Sequence, residues 1–354
     1  MTSASEEMRI DPDEMRDAAR RLLADKVDRR APWEGKPDAG KALDAEMGAL
    51  GWFQLTAPEA LGGLGQSFDV LAPIYEELGR NLAPVWLAGT MAAIDALRSA
   101  KTPDADAAVA AIIDGGWRVA LVILPTGSRR SGLRLPMVPG ATEATHLLIV
   151  EEGGAASLAP TAAPGIKVAA VQTWDLGRTY GEVTVTGADE TAVCRVDAAR
   201  ILPVLRAHGD LALAWDSVGA ATQNLAETVD YMLGRQQFGR PIASFQALKH
   251  RAADHKVAIE LARALAVHAG HVFAVRGDGW AVLAAQARIL ACEAFAAMAE
   301  DSIQMFGGVG FTWEYDPHLF LKRALANQII GGSPDDVRDR VAAEVCRRAL
   351  AAQH

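Results

Sequence analysis

The stretch Arg235-Gln-Gln-Phe-Gly-Arg-Pro-Ile242 closes one long helical pattern and precedes another. Gly239 and Pro241 break the 3.6-residue period between them, and Ser244 is placed to cap the helix that follows. An arginine at a helix terminus with a phenylalanine three residues on makes a small exposed elbow. The Arg235 guanidinium has the fork to grip a pyrophosphate through parallel charge-assisted hydrogen bonds. Phe238 offers a flat apolar face to a ring system. Taken alone, the same residues also describe a surface arginine beside a core phenylalanine.

A second segment, Gln304-Met-Phe-Gly-Gly-Val-Gly-Phe311, likewise follows a long helical pattern. Gly307 and Gly308 let the backbone turn sharply and bring its amides close to a ligand with no Cβ in the way. Gln304 both donates and accepts at a base or carbonyl edge. No strand precedes these glycines, so they are not a dinucleotide-binding Rossmann fingerprint. On their own they fit a glycine-rich helix C-cap equally well. Around the two segments, apolar periodicity predicts helices near 204–234, 244–276, 279–306, 315–329 and 334–352, the first three long enough for a bundle core.

Upstream the texture changes twice. Residues 117–200 carry short β-type runs, Val119-Ala-Leu-Val-Ile, His146-Leu-Leu-Ile-Val, Gly165-Ile-Lys-Val-Ala-Ala-Val and Gly181-Glu-Val-Thr-Val, separated by Gly, Pro, Asp and Thr clusters. This predicts a small antiparallel sheet domain. Before it the chain reads as helical. Asp11 caps a helix with Pro12 in its first turn, Gly40 to Gly51 forms a second, and Ser67 starts one that runs to about Arg80. Ala- and Leu-rich helices fill 86–114. The expected organisation is α+β: an N-terminal helical domain (1–115), a middle β-domain (116–202) and a C-terminal helical bundle (203–354).

Composition narrows the function classes. The chain has 354 residues and a formal net charge of -9, which argues against a nucleic-acid partner. The acidic start, Met1 to Glu7, has no apolar segment behind it, so no secretory signal is expected. The longest apolar stretch, Trp280 to Met298, is interrupted by Gln286, Arg288 and Glu293, so no membrane span is expected either. Cys194, Cys292 and Cys346 form neither a disulfide framework nor a metal pattern, which fits a reducing cytoplasm. His250, Asp254 and His255 have a spacing that metal ligands use, but an ordinary helix accounts for them, and no metal is expected.

Together the two glycine-bearing segments resemble the C-terminal domain of acyl-CoA dehydrogenases. The continuation Ala243-Ser-Phe-Gln246 and Leu248-Lys-His-Arg-Ala-Ala-Asp254 is similar to that family's signature, as is Gly307-Gly-Val-Gly-Phe-Thr-Trp-Glu314. Pro58-Glu-Ala-Leu-Gly-Gly-Leu-Gly65 and Glu76-Glu-Leu-Gly-Arg80 stand where the family has its N-terminal motifs. The resemblance implies FAD lying extended at a subunit interface, with Arg235, Phe238, Gln304, Gly307 and Gly308 offered to its ADP half. It implies α,β-dehydrogenation of an acyl-CoA thioester, in which a carboxylate takes the α-proton and the β-hydrogen leaves as hydride. By family analogy an electron-transfer flavoprotein reoxidises the cofactor.

The chain departs from the family where the base belongs. In the segment Asn327-Gln-Ile-Ile-Gly-Gly-Ser-Pro334, Gly331 or Gly332 stands at the position of the usual glutamate. At the alternative place, within His208 to Gly219, Gly209 holds the position and Asp210 lies next to it, about 100° round a helix. Asp216 is expected to make a buried polar contact. The flavin-lining loop is replaced by Leu124-Pro-Thr-Gly-Ser-Arg-Arg-Ser-Gly132, where Thr126 and Ser128 are the hydroxyls available to a flavin.

These departures, with Ala83-Pro-Val-Trp-Leu-Ala-Gly-Thr90, resemble the base-lacking subunits of heteromeric α2β2 acyl-CoA dehydrogenases of bacterial steroid side-chain degradation. The expected partner is a homologous subunit that brings the base. Two alternatives stand beside this reading: a self-sufficient homomeric dehydrogenase using Asp210 or another base, and a non-catalytic binding protein on the same fold.

Overall fold

The computed structural model describes residues 9–36, 39–187 and 191–351. The acidic start Met1 to Glu7 and the last residue of the helix expected over 334–352 lie outside the described residues. Contacts divide the chain into two interleaved units, one of residues 1–15, 26–71 and 84–209, the other of 16–25, 72–83 and 210–354. Helix α1 (Pro12–Lys26) and helix α6 (Ala198–Gly234) each contribute residues to both.

The first unit holds α2 (Ala39–Ala49), α4 (Leu87–Ala100), α5 (Pro103–Ile113) and two small sheets. β1 (Val119–Leu124), β3 (His146–Glu151), β4 (Ala155–Pro160) and β7 (Cys194–Asp197) form one sheet in that order. β2 (Arg134–Pro139), β6 (Tyr180–Val185) and β5 (Ile166–Val171) form the other. The sheets face each other across one core to which Val122, Leu147 and Ile149 contribute from the first, and Val138, Val183 and Val185 from the second. Each such aliphatic side chain contributes about 1.5–3 kcal/mol on burial. The domain is β as expected, but not wholly antiparallel. β1 pairs with β3 in parallel, Val119 opposite His146 through Leu124 opposite Glu151. The two strands are joined by a crossover through β2 in the opposite sheet, which is why they run the same way. The remaining pairings are antiparallel.

The second unit is the helical one: α3 (Ala72–Arg80), most of α6, α7 (Gln246–Ala274), α8 (Trp280–Phe306), α9 (Pro317–Ile329) and α10 (Pro334–Ala351). α3 crosses α6 at two glycines. A Cβ on Gly79 would lie 1.9 Å from the carbonyl oxygen of Asp216, and one on Gly219 would lie 1.9 Å from that of Glu76. Backbone meets backbone there, and nothing larger than glycine fits. The middle of α1 belongs to the same unit through charge: Arg20 pairs with the fully buried Glu77 at 2.8 Å, and Arg263 of α7 reaches Glu76 at 2.7 Å. α7 and α8 each have the length and composition of a membrane-crossing helix. They pack along one another, and α8 buries Arg288.

Helix starts show where local sequence cues were overruled. Asp11 does cap α1, its Oδ1 accepting from the Asp13 amide at 2.9 Å. Ser67 does not start a continuous helix. Its hydroxyl donates to Asp69, a 3-10 turn covers Phe68–Val70, and α3 begins only at Ala72. Ser244 does not cap α7, whose N-cap is Phe245, because a 3-10 turn over Ile242–Ser244 intervenes.

Candidate cofactor and catalytic site

The segment after α6 is a tight hairpin. β8 (Gln236–Gln237) pairs with β9 (Arg240–Pro241), and the Ile242 amide donates to the Arg235 carbonyl at 2.8 Å. The loop residues Phe238 and Gly239 have φ of 52° and 76°. Two positive φ values in a two-residue loop make a type I′ turn, which suits Gly239 and is costly for Phe238. Phe238 is 91% exposed, with only an edge-on contact to Phe245 at 6.1 Å. A strained, solvent-facing aromatic is not held there by packing and leaves its ring face accessible.

Gln304 stands in the last turn of α8, and Gly307 is that helix's C-cap with φ 68°. A Cβ added at Gly307 or Gly308 would meet nothing within 4 Å, so the backbone there borders open space, while the Gly307 amide itself donates back to the carbonyls of Ile303 and Gln304. Among the described residues neither the exposed Arg235 guanidinium nor the exposed Gln304 amide has a side-chain partner. The two segments are joined by residues that sequence reading passed over. Tyr231, one turn before Arg235, stacks on Phe306 at 4.0 Å, and its hydroxyl donates to the Phe306 carbonyl at 3.3 Å. Tyr315 closes edge-on against both rings at 5.3 Å. The i−4 spacing of Tyr231 from Arg235 was the available signal. An unpaired guanidinium and side-chain amide, an exposed flat ring and a backbone that a ligand can approach at two glycines fit the phosphate and nucleoside end of a dinucleotide cofactor.

The two places expected for a base are differently built. Asp210 is buried, and its carboxylate accepts from Arg288 at 3.1 Å and Arg340 at 2.7 Å. Arg288, itself buried, also donates to the carbonyls of Ile330 (2.6 Å) and Gly332 (2.8 Å). The Asp210 carboxylate is therefore the counter-charge of two guanidiniums, and taking a proton would leave both unneutralised. Gly331 and Gly332 have φ of 71° and 123°. Beside them Asp216 makes the buried polar contact expected of it, accepting from Asn327 at 2.7 Å, with Arg323 at 3.9 Å. Asn327 also donates to Ser217, which lies 3.5 Å from the Cys292 thiol. Burial pushes that thiol up, so it stays protonated and is no nucleophile. His208, next to Gly209 in the other unit, is buried against Asp95 at 2.7 Å.

In the β-domain the loop between β1 and β2 spends its hydroxyls on backbone carbonyls at the surface. Thr126 donates to the Glu152 carbonyl at 2.8 Å, Ser128 to the Pro125 carbonyl, and Ser131 to the Ser128 carbonyl at 2.7 Å. Arg129 is buried, its guanidinium on the Ala155 carbonyl and Ser157 of β4. These donors hold the loop together, and Thr126 and Ser128 have no hydroxyl proton left for a flavin. At the surface of α7, His255 meets Asp301 at 2.8 Å and Arg251 pairs with the same carboxylate.

Helices around a β-sandwich followed by a helical bundle, with glycine-bearing elbows at two helix ends, define the architecture of acyl-CoA dehydrogenases. Residues 11–104 match the acyl-CoA dehydrogenase N-terminal domain and 207–346 the C-terminal domain. The chain is 35% identical over 298 residues to acyl-CoA dehydrogenase IpdE2 of Mycobacterium tuberculosis, which spans 84% of each chain. It belongs to the acyl-CoA dehydrogenase family. Its fold is shared with the Tcur3481-Tcur3483 steroid ACAD G363A variant (TM-score 0.84, 24% identity, 96% of this chain and 98% of that one). It is shared too with the ChsE4-ChsE5 complex from Mycobacterium tuberculosis (TM-score 0.82, 22% identity, 98% of each chain). The family is FAD-dependent, and solved structures of the fold include FAD complexes.

Proposed function

We propose that this chain is the base-lacking subunit of a hetero-oligomeric FAD-dependent acyl-CoA dehydrogenase, acting with a homologous subunit that supplies the base. Arg235 would hold the pyrophosphate of FAD, Phe238 would lie against a ring, and Gln304 with the open backbone at Gly307 and Gly308 would meet the nucleoside end. FAD, when bound, takes the β-hydrogen of the acyl thioester as hydride. The partner's carboxylate takes the α-proton, and an electron-transfer flavoprotein receives the electrons.

One observation carries this reading. Among the described residues, the Asp210 carboxylate beside Gly209 is neutralised by Arg288 and Arg340, and the Asp336 carboxylate beside Gly332 is held by Ser333, while Arg235 and Gln304 have no side-chain partner. This supports a chain that offers contacts to the cofactor and leaves proton abstraction to its partner. The hydroxyls of Thr126 and Ser128, each spent on a backbone carbonyl, support the same division of labour. The names of two fold relatives, a two-protein steroid ACAD and the ChsE4-ChsE5 complex, favour a paired assembly and a steroid-bearing acyl-CoA. The unpaired thiols Cys194, Cys292 and Cys346 suit a reducing cytoplasm.

The test is to purify the chain alone and together with a co-expressed homologous subunit from its genomic neighbourhood. Stoichiometric FAD and acyl-CoA oxidation are expected only for the pair. A chain that alone binds FAD one-to-one and oxidises an acyl-CoA would overturn the proposal.

A further inference from the structure

The buried network around Asp210 joins four elements of the helical unit that are distant in sequence. Asp210 comes from α6, Arg288 from α8, Arg340 from α10, and the carbonyls of Ile330 and Gly332 from the turn between α9 and α10. On its far side the turn is fixed by a capping box. The Ser333 hydroxyl accepts from the Asp336 amide at 3.2 Å, and the Asp336 carboxylate accepts from the Ser333 amide at 2.8 Å. The Ser333 hydroxyl also donates to the Asp336 carboxylate at 2.7 Å, and this bond, with that from the Ser333 amide, holds the Asp336 carboxyl below its usual range. The turn is thus gripped at Ile330, Gly332 and Ser333, with Gly331 in the left-handed region and 3.7 Å from Arg288 when a Cβ is added.

A guanidinium that satisfies two carbonyls of one turn fixes that turn's shape, because both carbonyl vectors must converge on one planar group. Burying that guanidinium requires a counter-charge, and Asp210 is the buried carboxylate in contact with it. We propose that Asp210 and Arg288 form a clamp that locks the Ile330–Gly332 turn with Gly331 and Gly332 both at positive φ. The two places where a base is expected by family resemblance are thereby coupled: the carboxylate at one is the counter-charge for the arginine that closes the other. Arg340 is the outer arm, tying the C-terminal helix to the same carboxylate. The clamp is made of this chain's own side chains and stands whether or not a partner supplies a base.

The experiment is amide hydrogen exchange on the full-length chain, without FAD or partner, read peptide by peptide. Arg288→Lys keeps the charge but presents a single nitrogen that cannot serve both carbonyls and Asp210 in the same geometry. It is expected to speed exchange across residues 329–337 at least tenfold, while peptides of the β-domain and of the Arg235–Ser244 hairpin exchange as in the wild type. Arg340→Met is expected to loosen α10 and leave the 330–332 turn protected. A merely structural role would slow or speed exchange throughout, so the localisation is the readout. The double variant Asp210→Leu/Arg288→Met restores packing without charge and keeps the test open if a single variant fails to fold. It too is expected to release the turn. Wild-type protection of residues 329–337 in either folded variant overturns the proposal.

Discussion

Gly331 and Gly332 put the missing base in terms of backbone, not just side-chain identity. Their φ values of 71° and 123° are ones that an L-residue rarely adopts. Gly331→Glu is therefore expected to cost about 1–2 kcal/mol of stability and to create no dehydrogenase activity in the isolated chain. Gly209 differs. It is helical, and a Cβ there meets nothing within 4 Å. Gly209→Glu should be neutral or stabilise by about 0.5 kcal/mol, since glycine is the poorer helix former. Urea unfolding midpoints of the two variants check the contrast; a Gly331→Glu chain as stable as Gly209→Glu would contradict it.

At this scale the placement of the proposed cofactor residues was legible, because they lie in two contiguous segments. Arg235, Phe238 and the Gly307-Gly308 pair sit at helix ends, as their own neighbours dictate. The partners of Asp210 were not legible. Arg288 lies 78 residues away and Arg340 130, and no local pattern announces a long-range ion pair. Arg288 had registered only as an interruption of an apolar stretch.

Among the elements, the long helices followed from apolar period and punctuation, and four of the strands from β-branched runs. β2, β4 and β7 were missed for physical reasons. β2 contains Pro136 and ends in Pro139, which an edge strand with a register shift between Leu135 and Val138 tolerates. β4 is Ala- and Ser-rich, with little β-propensity of its own, and is a strand because β3 and β7 flank it. β7 has only 4 residues. The parallel pairing of β1 with β3 depends on the crossover through the other sheet, which no single strand encodes. The α3–α6 crossing yields a prediction of its own. Gly79→Ala must push a methyl group into the Asp216 carbonyl, and overpacking of this kind costs about 1–3 kcal/mol or more. Chemical denaturation should show that loss; an unchanged midpoint would mean the helices part freely at this point.

For the whole molecule, the net charge of -9 sits beside locally exposed cationic groups at the hairpin, Arg235 and Arg240. Overall charge argues against a phosphate-backbone partner but not against a single pyrophosphate, which needs only one well-placed guanidinium. In the proposed reading, this chain lends that guanidinium to a cofactor whose chemistry is completed by another subunit. The direct measurement is an FAD titration of the co-purified complex carrying Arg235→Ala in this chain alone. Loss of a charge-assisted hydrogen bond of about 1.5–3 kcal/mol predicts FAD affinity weakened at least tenfold, with turnover at saturating FAD retained. FAD affinity equal to that of the wild-type complex would contradict the account.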